Sequence, residues 1–156
     1  MRRLAVNTLE AVAARAGGGL ALIDRNPRTR RAALRVLPQA LERLIVTEYL
    51  TDLETVLELR IFASRGGPEE RYAVVIGHGE VRVRPGGDPA ARAWFGARLS
   101  DIIRIATGRA SWTEMLAAGR LQIGGDPFTA LRAPLLFGFS PALRRRPEPE
   151  LSTPPA

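Results

Sequence analysis

At Glu54 the apolar residues of this chain change period. Leu57, Leu59 and Ile61 alternate with Glu58 and Arg60, a spacing of two that sends successive side chains to opposite faces and predicts a half-buried strand. Tyr72, Val74 and Ile76 repeat the pattern, Gly77, His78 and Gly79 turn the chain, and Val81 and Val83 return it in alternation with Arg82 and Arg84, which predicts a hairpin. Beyond the loop 85–89 a fourth strand places Ala91, Ala93, Phe95, Ala97 and Leu99 on one face and Arg92, Trp94 and Arg98 on the other. The inward side of that strand is built largely of alanine. It either leaves room for a ligand or lets a covering helix approach closely.

Helical spacing governs the rest. Leu4, Leu9, Val12, Ala13 and Ala16 form a stripe ended by Gly17, Gly18 and Gly19. Over 29–46, Leu34, Leu37, Leu41, Leu44 and Ile45 share one face, and Pro38 within it predicts a kink or a restart. Ser100 and Asp101 are placed to start a helix carrying Ile102, Ile103, Ile105 and Ala106, closed by Gly108. Ser111 and Glu114 have capping-box spacing for a short helix through Met115 and Leu116 to Gly119. Leu121 and Ile123 give a fifth strand. Asp126 as N-cap and Pro127 at the first helical position open a last helix through Phe128, Leu131 and Leu135, disturbed at Pro134. Residues 144–156, rich in arginine and proline, read as a disordered tail.

With 156 residues, 46% of them hydrophobic, the chain can bury one sizeable core. It has no cysteine, which removes disulfides, thiolate metal sites and cysteine nucleophiles and makes the cytoplasm the expected compartment. No apolar stretch reaches membrane-spanning length, and the N-terminus lacks the uninterrupted apolar run of a leader, so a soluble, unprocessed protein is expected. The formal charge is +7, and every basic residue is arginine. Residues 1–43 hold nine arginines against three acids, whereas residues 44–143 hold eleven of each. The basic excess therefore lies outside the strand-bearing part, where it either solvates the surface or meets an anionic one. Nucleic-acid binding is disfavoured, because no aromatic residue stands among those N-terminal arginines to stack on bases.

Catalysis has little to work with. His78 is the only histidine and sits in a turn. Gly77, His78 and Gly79 lack the third glycine and following helix of a dinucleotide loop, and a chain without lysine has no phosphate-loop lysine. Asp101, Glu114 and Asp126 occupy capping positions. One histidine and scattered carboxylates make no metal cluster. Neither a catalytic residue nor a cofactor nor a metal is expected.

The run SDIIRIATGRASWTEMLAAGRLQIGGDPFTALRAPLLF, from Ser100 to Phe137 after Leu99, resembles the C-terminal half of sterol carrier protein (nonspecific lipid-transfer) domains. Gly108, Gly119, Leu121, Ile123, Gly125 and Asp126 match the family's landmarks in order, and the resemblance covers about 30–138. It implies an α+β fold in which a five-stranded, largely antiparallel sheet covered by helices encloses an apolar tunnel for sterol, fatty acyl or isoprenoid-like lipid. The implied protein is a non-enzymatic carrier. Within that scheme Phe95, Leu99, Ile102, Ile103, Leu116, Ile123, Phe128, Leu131 and Leu135 are the expected tunnel wall. The implied organisation is a basic extension over 1–29, the lipid-binding domain over 30–140 and the tail over 141–156. Arg28, Arg30, Arg31 and Arg35 are the expected contacts to an anionic membrane surface, at which the carrier would be peripheral. Family members also serve as accessory proteins in quinone-lipid biosynthesis, so a biosynthetic partner enzyme is the alternative expectation.

Overall fold

A computed structural model describes residues 19–45, 53–63 and 68–136, together with position 11. Apart from position 11, which is helical, the expected first helix over 4–16 lies outside the described residues, as does the tail over 144–156. The elements are α1 (Ala21–Arg25), α2 (Pro27–Leu44), β1 (Thr55–Phe62), β2 (Glu70–Gly77), β3 (Glu80–Pro85), β4 (Ala93–Arg98), α3 (Leu99–Ala106), α4 (Trp112–Ala117), β5 (Leu121–Gly125) and α5 (Pro127–Leu136).

The five strands form one sheet in the order β3-β2-β1-β4-β5. β1 and β4 run parallel, and the other three pairings are antiparallel. The fold is thus α+β, as expected. Register follows the alternation of the sequence: Leu59 lies between Tyr72 on β2 and Phe95 on β4, and Phe95 faces Ile123 on β5. A slip of one residue would exchange these apolar side chains for Arg60, Trp94 and Gln122. The β2–β3 turn contains His78 at φ +52° and Gly79 at φ +73°, the two left-handed residues that a tight type I′ hairpin requires.

Fourth-strand and helix boundaries differ from the sequence expectation. β4 ends at Arg98, and Leu99 opens α3. Neither Ser100 nor Asp101 caps that helix, whose N-cap position, Arg98, makes no side-chain cap. The cap comes from a distant element: Asp24 of α1 accepts from the Ser100 backbone N–H at 3.3 Å and its hydroxyl at 2.5 Å. α1 itself was not anticipated, yet its Ile23 belongs to the main core.

α2 runs through Pro38 as one helix, with no restart. Proline lacks an N–H, so the Leu34 carbonyl one turn earlier loses its helical donor; the Tyr72 hydroxyl reaches that oxygen at 3.5 Å. α2 also covers the β3 edge. Glu42 accepts from the outward Val83 N–H at 2.8 Å, occupying a donor that would otherwise be open to edge pairing. α5 likewise continues through Pro134. The expected caps hold at the other two helices: Ser111 and Glu114 form a capping box on α4, and Asp126 accepts from the Thr129 N–H at 2.8 Å at the start of α5.

Candidate functional site: an apolar layer and its polar rims

The inner face of the sheet meets the helices in a single apolar cluster. Ala93, Phe95 and Ala97 on β4 and Leu121 on β5 are buried there with Leu99, Ile102, Ile103 and Ile105 of α3. From α4 come Trp112 and Met115, and the Trp112 ring tilts against Phe95 with centroids 5.5 Å apart. Trp112 was missed in the sequence reading. Its signal was the spacing to Met115, which places both on one face one turn apart.

Among the expected wall residues, Phe95, Leu99, Ile102 and Ile103 are brought together in this cluster, and Leu116 and Ile123 pack partly buried against it. Phe128 and Leu131 are not: they are 66% and 69% exposed. The start of α5 explains why. Gly125 has φ +87°, and a Cβ there would lie 2.5 Å from the Arg92 carbonyl oxygen, so the chain must be glycine where it passes β4. The Asp126 N–H then donates to the same Arg92 oxygen at 2.8 Å. That anchoring turns Ala130 inward, and at 100° per residue Phe128 and Leu131 are carried to other sides of the helix. The side chain of Leu135 lies outside the described residues.

Asp101 has a different duty from the expected cap. It is 2% exposed and is bonded by Arg120, whose Nε donates to Oδ2 at 3.3 Å and whose Nη2 donates to Oδ1. Arg120 is the basic residue after Gly119, which at φ +67° ends α4. The ion pair thus joins α3 to the α4–β5 turn and floors an open recess of about 400 Å³ lined also by Phe62, Arg98 and Gln122.

On the outer sheet face a second recess, of about 380 Å³, is lined by Glu58, Arg60, Arg71, Arg92 and Trp94. Three of its charges, those of Glu58, Arg60 and Arg71, are paired with one another. Glu58, 6% exposed, accepts from Arg60 Nε at 2.6 Å and lies 3.7 Å from Arg71. Arg60 in turn covers the Trp94 ring at 4.2 Å. Among the described residues no group of carboxylates and histidine is arranged to hold a metal ion. His78 is exposed in its turn, 3.7 Å from Glu54. Neither recess pairs a nucleophile with a base.

Of the four arginines expected at a membrane, Arg28, Arg31 and Arg35 are exposed on α2, whereas Arg30 is partly buried, with both terminal guanidinium nitrogens inside. Among the described helices none is long and apolar enough to cross a membrane.

The fold has known counterparts. The sterol carrier protein domain 2 of Helicoverpa armigera superposes with a TM-score of 0.52 at 18% identity, over 67% of this chain and 82% of that one. The UbiJ-SCP2 ubiquinone synthesis protein gives 0.50 at 16% identity, over 67% and 96%. The sec-alkylsulfatase Pisa1 from Pseudomonas sp. gives 0.54 at 17% identity over 67% of this chain, but the match spans only 16% of that enzyme. At such identities the likeness is one of fold. No curated protein sequence matches. The family model for SCP-2 sterol transfer matches residues 37–137, and the chain therefore belongs to the SCP-2 sterol transfer family.

Proposed function

We propose that this protein binds an apolar lipid between its sheet and helices and transfers it, without catalysing a reaction. The observation that carries the reading is the apolar layer itself. The alanines of β4 are buried in one cluster with Ile102 and Ile103 of α3, while the described ion pairs stand on the outer face or at its rims. Each methylene moved from water into such a layer contributes about 0.8 kcal/mol, so a long acyl, sterol or isoprenoid-like chain is held by burial alone. Phe95, Leu99, Ile102, Ile103, Leu116 and Ile123 are the proposed wall. The carrier works in the cytoplasm and docks transiently on anionic membrane through Arg28, Arg31 and Arg35. Each of these contributes at most about 1 kcal/mol, over a screening length of about 8 Å.

Native mass spectrometry of the purified chain, with extraction and identification of bound lipid, tests the reading. A chain that copurifies with no lipid and takes up no fluorescent fatty acid after delipidation refutes it. Docking is tested by vesicle co-sedimentation of the wild type against a triple Arg→Gln variant at positions 28, 31 and 35, at low and high salt. A second reading, an accessory protein that presents a hydrophobic intermediate to a biosynthetic enzyme, is favoured by the likeness in fold to the UbiJ-SCP2 ubiquinone synthesis protein over 67% of this chain. A copurifying enzyme would distinguish it.

A further inference from the structure

The α2 face that enters the core carries Ala33 and Leu37, both wholly buried, and Arg30 precedes them on the same side by one and two turns. Arg30 Nη1 and Nη2 are buried and meet no acceptor among the described residues. Its charge lies close enough to Tyr72 to act on the phenol, whose ionisation is pushed upward chiefly by burial and then by Glu70. Glu70 accepts no hydrogen bond from those nitrogens. A guanidinium cannot relieve such a position by losing its proton. Desolvated donors without an acceptor are costly, and more so when the group is charged. The acceptor that fits two Nη groups on one plane is an oxyanion with two oxygens side by side, as in a carboxylate or a phosphate.

We propose that Arg30 is the anchor for the anionic headgroup of the carried lipid, so that this chain selects acidic amphiphiles over neutral ones of equal length. The proposal rests on the lipid-carrier reading. The hydrocarbon is held by burial against the sheet, and the oxyanion is held where α2 passes Tyr72. A long-chain acid or a lipid phosphate is then retained, while an alcohol of the same length leaves the guanidinium unpaired.

The test uses the delipidated full chain with [1-13C]palmitate, 1-hexadecanol and acetate, comparing wild type with Arg30→Gln and Arg30→Lys, each checked for folding by circular dichroism. A charge-assisted hydrogen bond corresponds to a change on the order of 10- to 100-fold in affinity. Palmitate binding should weaken by that factor in Arg30→Gln and by less in Arg30→Lys, with hexadecanol binding unchanged. The bound palmitate carboxyl carbon should titrate at lower pH in wild type than in Arg30→Gln, a shift that a merely structural arginine would not produce. Equal palmitate affinity in wild type and Arg30→Gln, or the same carboxyl titration in both, overturns the headgroup assignment while leaving the carrier reading standing. Acetate binding as tight as palmitate assigns the site to free anions and also overturns it. Failure of both palmitate and hexadecanol to bind overturns the carrier reading and this proposal together.

Discussion

Asp101 and Arg120 are unequal partners, and the inequality predicts different costs for removing each. Asp101 is 2% exposed, and both its oxygens are engaged by Arg120. The Arg120 side chain is 46% exposed. Arg120→Ala leaves a carboxylate in the interior with its countercharge gone, a change that costs about 3–5 kcal/mol. Asp101→Asn keeps the shape and leaves a guanidinium that water can reach, so the loss is that of one charge-assisted hydrogen bond, about 1.5–3 kcal/mol. The double variant Asp101→Leu/Arg120→Met removes both charges and should be less destabilised than Arg120→Ala alone, because its remaining cost is packing. Urea unfolding at neutral pH, followed by circular dichroism with a common slope, measures all three. An Arg120→Ala variant within about 1 kcal/mol of wild type, or one more stable than Asp101→Asn, would refute the view that the buried carboxylate depends on this partner.

Phe95→Ala removes the ring that packs on Trp112 in the centre of the inner layer and should cost about 3–5 kcal/mol; a smaller loss in chemical denaturation would mean that the layer closes over the gap. Gly124→Ala places a methyl 2.5 Å from the Trp94 ring, so the ring must leave its position over the strand and part from Arg60. The expected result is a changed indole fluorescence with a stability loss of about 1–3 kcal/mol, and an unchanged spectrum argues against that ring placement. The Asp126 carboxyl is held below the ordinary range, first by the Thr129 hydroxyl and then by the Thr129 N–H. A depressed folded value stabilises above the unfolded value of about 3.9 and is lost as pH falls through the folded one. Asp126→Ala should therefore melt below wild type at neutral pH, and the gap should close as the medium is acidified below about pH 4. A gap independent of pH would assign the cap to the backbone alone.

The strands were legible because their large apolar residues alternate, and a period of two leaves a single register that buries Leu57, Leu59 and Ile61 together. Helix ends were legible where the cap is local, as at Ser111 with Glu114 and at Asp126 with Pro127. They were not legible at α3, because its cap is Asp24, distant in sequence and on an element the apolar pattern does not mark. At Pro38 the helix does not restart, for a related reason. The helix interruption it predicts is a local rule, and the compensation, a tyrosine hydroxyl on the freed Leu34 carbonyl, is tertiary.

In the candidate site, residue type announced burial, and anchoring decided direction. Phe128 and Leu131 have the composition of wall residues, yet the Gly125–Asp126 turn fixes the phase of α5 so that Ala130 enters instead. The arginines divide by what stands opposite each of them. On the outer face Arg60, Arg71 and Arg84 each meet a carboxylate, Glu58, Glu69 or Asp88, and at the rim Arg120 meets Asp101. Residues 44–143 are neutral in sum because they hold as many arginines as acids, and these pairs set the opposite charges side by side. Such internally matched pairs give the sheet no net field with which to attract a polyanion, since neighbouring opposite charges cancel beyond a screening length. On α2 the balance fails in two distinct ways. Arg28, Arg31 and Arg35 are in water, where an unpaired guanidinium costs nothing, but the terminal nitrogens of Arg30 are not. Among the described residues, three guanidinium groups of α2 thus lie in water, while the terminal nitrogens of a fourth lie inside without an acceptor. The signal in the sequence is spacing: Arg30 stands four and seven residues before Leu34 and Leu37, in line with the apolar stripe of α2.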